Sequence, residues 1–185
     1  MPPRDILIGE LRRHALVLGE VTLTSGRTAQ YYVDAKRAIL RPAGFAALAE
    51  LVAGYARAWD ATAVGGLTMG ADAPACAALA GGADVKAFFV RKEAKQHGLQ
   101  RRVEGPPLER AGERCLIVED VVTTGGSTVQ AIEAVRAEGH SVIGVVAVVD
   151  RLAGGADAIR RAADGAPFEP LATIDDVYPD RPDKG

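Results

Sequence analysis

The stretch Cys115-Leu116-Ile117-Val118-Glu119-Asp120-Val121-Val122-Thr123-Thr124-Gly125-Gly126-Ser127-Thr128 decides the fold. Its first four residues are continuously apolar rather than alternating, the pattern of a parallel strand covered on both faces. The strand ends in two adjacent carboxylates, and a Thr/Gly/Ser loop then opens a helix over 127–138. Two glycines let the backbone approach a ligand closely, and the first amides of a helix have no partner inside it. With the hydroxyls of Thr123, Thr124, Ser127 and Thr128 they predict an anion site at a helix N-terminus. In an open α/β sheet such a site lies at the carboxyl ends of the strands, where ligands bind. The plainer alternative is a capped helix start, with Ser127 as N-cap and both carboxylates solvated. The loop is not a Walker loop, since no lysine follows the glycines. Nor is it a dinucleotide fingerprint, which places glycines directly after the strand. Carboxylates beside a phosphate cradle suit a ligand with both phosphate and hydroxyls, such as a ribose 5-phosphate. Adjacent strand residues point to opposite faces, so one carboxylate faces that ligand more directly than the other.

Outward from this stretch, strand and helix patterns alternate. Strands are predicted at 61–64, 86–90, 115–119 and 142–149, with helices at 72–80, 127–138 and 155–162 and a last short strand near 170–174. The rhythm implies an α/β fold with an open, doubly wound, mostly parallel sheet and flanking helices. Upstream, residues 4–18 place apolar side chains at helical spacing and Pro42 opens a helix to about Trp59. Val21–Leu23 and Tyr31–Val33 read as short strands. About 40 N-terminal residues do not fit the rhythm and form a small hood over one edge, in a single domain spanning 1–185. From Asp175 onward, Pro179, Pro182 and mixed charges read as a loose tail.

Composition sets the bounds. The chain has 185 residues, 22 Lys+Arg against 24 Asp+Glu, and a net charge of −2, so no basic charge drives it onto nucleic acid or membrane. Its longest strand-like apolar run, Val142 to Val149, is far short of the ~20 residues that span a bilayer. The N-terminal segment lacks the apolar core of a signal peptide. Cys76 and Cys115 have no metal-ligand spacing and read as buried free thiols. A cytoplasmic protein is expected. His14 and His140 read as surface residues.

A second constellation is basic. The chain has five lysines, and two of them fall in Arg91-Lys92-Glu93-Ala94-Lys95-Gln96-His97-Gly98. Over 91–102 five cations (Arg91, Lys92, Lys95, Arg101, Arg102) face one carboxylate, Glu93. This is either a solvated basic loop or one that closes over a polyanion. The long connection to the next strand, broken by Gly98, Gly105, Pro106 and Pro107, favours a lid.

Val118-Glu119-Asp120-Val121-Val122-Thr123-Thr124-Gly125-Gly126-Ser127 resembles the phosphoribosyl pyrophosphate signature of type I phosphoribosyltransferases. The spacing Arg-Lys-Glu-Ala-Lys-Gln-His-Gly is similar to the mobile loop of the orotate phosphoribosyltransferases in particular. That resemblance implies that Arg91, Lys95 and His97 face the pyrophosphate, with Lys92 offered to the neighbouring subunit of a homodimer. It implies that Lys95, His97 and Asp120 are catalytic. Glu119, Asp120, Val121, Val122, Thr123, Thr124, Gly125, Gly126 and Ser127 would bind phosphoribosyl pyrophosphate.

Leu23 to Asp34, with the Tyr31-Tyr32 pair, resembles the segment that meets the pyrimidine. One tyrosine is expected in the core and the other against a flat base. Many relatives carry Lys where this chain has Thr24, and Lys36 is a candidate for supplying that charge. Thr68 to Ala71 resembles the pyrophosphate-binding loop. Arg151, after the strand 142–149, occupies the place of the family's orotate-contacting Arg, whose planar fork suits a carboxylate; Thr123 is the other implied orotate contact. The implied cofactor is Mg2+, and the implied substrates are orotate and 5-phosphoribosyl 1-diphosphate. A purine phosphoribosyltransferase, or a regulator sensing phosphoribosyl pyrophosphate, is the alternative.

Overall fold

The computed structural model describes residues 1–22, 28–93, 102–108 and 112–184. The chain opens with helix α1 (Pro3–His14), strands β1 (Leu16–Thr22) and β2 (Thr28–Val33), and helices α2 (Lys36–Ile39) and α3 (Pro42–Ala58). Then follow β3 (Ala63–Leu67), α4 (Asp72–Ala80), β4 (Lys86–Val90), β5 (Val103–Glu104) and β6 (Arg114–Val122). The last elements are α5 (Gly126–Ala137), β7 (Ser141–Asp150), α6 (Gly155–Ala163), β8 (Phe168–Thr173) and α7 (Ile174–Val177).

Six strands form one sheet in the order β5-β4-β3-β6-β7-β8. All its pairings are parallel except that of the two-residue β5 with β4. The continuous apolar runs are explained by layers on both faces. Leu116, Val118, Val146 and Val148 pack with Leu7 and Leu11 of α1, Leu48 and Val52 of α3 and the alanines of α4. Cys115, Ile117, Val145 and Ala147 pack with Ile132 and Val135 of α5 and Ile159 of α6. Successive residues of one strand thus serve opposite faces, so neither face can be polar. Among the described residues no helix is long and apolar enough to cross a membrane.

The N-terminal hood is built differently from its reading. The helical pattern over 4–18 stops at His14, and Leu16, Val17 and Leu18 instead pair antiparallel with Val33, Tyr32 and Tyr31. Strand pairing outcompetes a local periodicity that fits a helix. The connection expected to be structureless before β6 contains β5, whose Val103 and Glu104 pair with Val90 and Phe89.

Three further expectations are corrected. The segment from Asp175 is not wholly a loose tail. Thr173 caps α7 in a reciprocal box with Asp176, and Ile174 and Val177 are buried. Arg4 and Arg12 of α1 bind Asp176 through its carboxylate and its carbonyl, at 3.0 and 2.6 Å. Cys115 is buried, with burial and then the charge of Glu113 pushing its thiol up to about 12, but Cys76 is exposed. Its neighbours Ala75, Ala77 and Ala78 take the buried side of α4. His140 is not a surface residue; it is buried at the start of β7, where its Nδ1 accepts the Glu113 N–H at 3.2 Å.

Candidate active site

The acidic pair belongs to the last turns of the pleat in β6, not to a loop beyond it. Glu119 lies opposite Ala147 and Val121 opposite Val149 of β7. Neighbouring strand residues alternate, so the two side chains leave opposite faces, yet both carboxylates reach one cleft: a Cβ at Gly70 would lie 2.4 Å from Asp120 Oδ1 and 2.9 Å from Glu119 Oε1. Glu119 points toward α5 and accepts the Thr128 hydroxyl at 3.2 Å. Asp120 points toward the hood, where its Oδ2 accepts from Lys36 Nζ at 3.1 Å and its Oδ1 from the Val121 N–H at 2.8 Å. Both are buried. Burial, then the charge of Asp120, pushes Glu119 up to about 8 from an ordinary 4.5. Lys36 is also bound by Asp34 at 2.9 Å. Burial alone would lower its pKa, but hydrogen bonds and charges from Asp34 and Asp120 outweigh that and hold it above the ordinary lysine value.

After β6 the chain turns through Thr123 and Thr124 to Gly125, which sits at the N-cap of α5 with φ of 81°. A Cβ there would also lie 2.7 Å from the Gly155 carbonyl oxygen. No side chain caps α5, so Ser127 is not a cap and the first amides remain directed at a concavity of about 140 Å³. Thr123, Thr124, Gly125, Gly126 and Ser127 line it, along with Val121 and Val122. The fourth residue of the reading, Thr128, also lines the concavity. Thr128 is 1% exposed and its hydroxyl is committed to Glu119, so it orients the carboxylate.

This cradle shares Glu119, Val121, Thr123 and Ser127 with a larger cleft of about 240 Å³. Tyr32, Lys36, Thr68, Met69, Gly70, Lys92, Asp120 and Arg151 complete most of its wall. Gly70 allows the loop after β3 to approach Asp120, since a Cβ there would lie 2.4 Å from Asp120 Oδ1. Ala71, expected with Thr68 to Gly70, is instead fully buried at the start of α4. The tyrosine pair divides, Tyr31 being buried and Tyr32 exposed to the cleft. Arg151 follows β7, its N–H held by the Val122 carbonyl, and its guanidinium lies 5.2 Å over the Tyr31 ring. Its buried Nε has no hydrogen-bond partner among the described residues. Asp150 shapes the turn, its Oδ1 accepting the Leu152 N–H at 2.9 Å.

The basic segment is only partly placed. Lys92 borders the cleft, whereas Arg91 faces Glu104 at 3.8 Å in an adjoining groove. Lys95, His97 and Thr24 lie outside the described residues. Among the described residues no three metal-ligating side chains gather. The donor set at Glu119 and Asp120 therefore fits a hard divalent cation only when ligand oxygens complete its shell, as Mg2+ on a diphosphate does. Lys36, the candidate for a charge in the base pocket, stands in the cleft wall bound to Asp34 and Asp120. Asp34 is the site residue to which sequence reasoning gave no role; the Asp34-Ala35-Lys36 run just after the aromatic pair and Val33 was the available signal.

Comparison with known proteins follows the same lines. Residues 36–163 match the phosphoribosyl transferase domain family. Orotate phosphoribosyltransferase of Corynebacterium glutamicum is 48% identical over 172 residues, 92% of this chain and 90% of that protein. The crystal structure of Mycobacterium tuberculosis orotate phosphoribosyltransferase with Fe(III) dicitrate superposes with a TM-score of 0.84 at 44% identity, covering 96% of this chain and 99% of that one. The same enzyme in complex with 5-phospho-alpha-D-ribosyl 1-diphosphate gives a TM-score of 0.79 at 39% identity, covering 95% and 99%. The chain belongs to the phosphoribosyl transferase family and, within it, to the orotate phosphoribosyltransferases.

Proposed function

We propose that the chain transfers the 5-phosphoribosyl group from 5-phosphoribosyl 1-diphosphate to orotate, giving orotidine 5′-phosphate and diphosphate in UMP biosynthesis. The observation that carries this reading is a cleft that shares Glu119, Val121, Thr123 and Ser127 with the hydroxyl–amide cradle and is also lined by Arg151, whose buried Nε has no hydrogen-bond partner among the described residues.

The reaction breaks the bond between ribose C1 and the diphosphate oxygen, developing positive charge on the sugar and negative charge on the leaving group. No covalent nucleophile is needed, and the rate comes from orientation and preorganised charge. The amides of Gly125 to Ser127 and the hydroxyls of Thr123, Thr124 and Ser127 hold the 5-phosphate. Asp120 binds ribose hydroxyls, and Lys36 fixes which way its carboxylate faces. Arg151 takes the orotate carboxylate as a bidentate partner, with Tyr32 against the flat ring and Thr123 beside it. Thr68 to Gly70 and Lys92 border the diphosphate, and Arg91, Lys95 and His97 belong to the same anionic end. Glu119 and Asp120, together with oxygens of the bound substrate, would hold Mg2+, which would neutralise charge on the leaving group.

The same reading makes the protein a cytoplasmic homodimer that shares its basic loop. Lys92 borders its own cleft in the described structure, so subunit exchange distinguishes the two roles. Lys92→Ala and Asp120→Asn proteins, each nearly inactive, should recover towards about a quarter of parental activity once mixed and exchanged, if Lys92 serves the partner. Activity that stays at the sum of the two would place Lys92 in its own site.

The direct test follows orotate absorbance on adding 5-phosphoribosyl 1-diphosphate and Mg2+, with adenine, hypoxanthine and uracil as competing bases. Loss of the orotate signal, undiminished by the other bases, is expected. Turnover of adenine but not orotate would overturn the assignment.

A further inference from the structure

Arg151 is the only described group in the cleft whose buried polar atom lacks a hydrogen-bond partner. A guanidinium on a long, flexible stem gains nothing from preorganisation unless something fixes its plane. Among the described residues its recorded side-chain contact is the Tyr31 ring, 5.2 Å away. Tyr31 is 3% exposed and is itself held from behind. Its hydroxyl donates to both carboxylate oxygens of Asp183, at 3.1 and 3.0 Å. The ring of Tyr178 meets it edge-on, with centroids 5.4 Å apart and planes at 90°. Arg181 then ties the segment to itself, contacting Asp175 and, at 3.2 Å, Asp183. A chain of contacts thus runs from the segment 175–183, through one buried phenol, to the guanidinium at the base end of the cleft.

We propose that the segment Tyr178–Asp183 is a positioning clamp for the base subsite: it fixes the Tyr31 ring, and Tyr31 fixes the plane of Arg151. Neither Tyr178 nor Asp183 lines the cleft, so both act through Tyr31 and touch no substrate. The clamp rests on the reading of Arg151 as the orotate-carboxylate group. It adds that selectivity for a carboxylated base depends on residues far from it in the sequence. Among the described residues the cradle's lining includes none of Tyr178–Asp183, so the cradle should not sense the segment.

The test uses the full chain with Asp183→Ala, Asp183→Asn, Tyr31→Phe and the Asp183→Ala/Tyr31→Phe double variant. Losing a hydrogen bond to a charged acceptor should raise the orotate KM about tenfold in Asp183→Ala and in Tyr31→Phe. The double variant should be no worse than either single, because one contact is removed twice. Asp183→Asn keeps an acceptor oxygen and should recover most of the loss. The KM for 5-phosphoribosyl 1-diphosphate should not move. A readout independent of turnover is the Arg151 Nε–H resonance, which the Tyr31 ring current displaces in the parent protein. That resonance should shift towards the value of a free arginine in Asp183→Ala. An unchanged orotate KM, a parallel rise in both KM values, or an unmoved Arg151 resonance would overturn the clamp. Should the parent protein fail to use orotate, the proposed function fails, while the Arg151 resonance still decides the clamp.

Discussion

The two ends of the cleft are made in different ways. The cradle is one unbroken piece of chain, in which β6 delivers Glu119 and Asp120, Gly125 turns, and α5 presents its first amides. The base end is collected from separate places: Tyr32 from the hood hairpin, Arg151 from the end of β7, and Tyr31 backed by Tyr178 and Asp183. Lys36 joins the two, reaching from the hood to Asp120. The difference teaches that binding of the shared phosphoribosyl donor can be written into local backbone geometry, whereas recognition of the particular base depends on long-range packing.

The sharpest way to break the comparison is Asp120→Asn, which keeps size and removes charge inside the locally built end. Turnover should fall on the order of 10²-fold or more, as when one preorganised electrostatic group is lost. Near-normal activity would mean that Glu119 alone serves the sugar. Lys36→Met tests the join. Loss of the cation that orients Asp120 should cost about tenfold in turnover, and adding it to Asp120→Asn should cost little more. Full additivity would show that Lys36 acts apart from Asp120.

Smaller effects probe the cradle's backbone and its buried acid. Gly125→Ala forces a Cβ onto a left-handed residue and should cost about 1–2 kcal/mol of stability, read as a lower Tm, with weaker donor binding. An unchanged Tm would mean that the turn relaxes. Glu119 carries its proton in the folded protein up to about pH 8 and loses it near 4.5 when unfolded. Between those values the folded chain binds more protons, so this contribution is full below 4.5 and gone above about 8. Heating the ligand-free protein at rising pH should show a falling Tm over that window, and Glu119→Gln should flatten the slope. A slope unaffected by Glu119→Gln would locate the pH dependence elsewhere.

How far the molecule could be read from its sequence follows the same divide. The apolar runs at 115–118 and 142–149 identified buried parallel strands because both faces demand apolar side chains. Glu119 through Ser127 were legible because all their chemistry lies within one turn of chain. Thr128 was named with the other hydroxyls of the cradle and does line it, but its bond to Glu119, nine residues back on the strand, was not legible. Residues 16–18 look helical until Tyr31 to Val33 offer a partner strand. Cys76 and His140 exchanged their expected exposure because neighbouring elements decide which side of α4 and which end of β7 are covered. The tail's prolines and charges conceal that Asp176 binds α1 and Asp183 binds Tyr31. Such pairings span most of the chain, and no local pattern announces them.

The most direct test of two ends with separate origins is Arg151→Ala, measured for the orotate KM and, by calorimetry, for the Kd of 5-phosphoribosyl 1-diphosphate. Loss of a bidentate charged contact should raise the orotate KM on the order of 10²-fold and leave donor binding unchanged. An orotate KM equal to the parent's, or a donor Kd that weakens in step with it, would contradict the account.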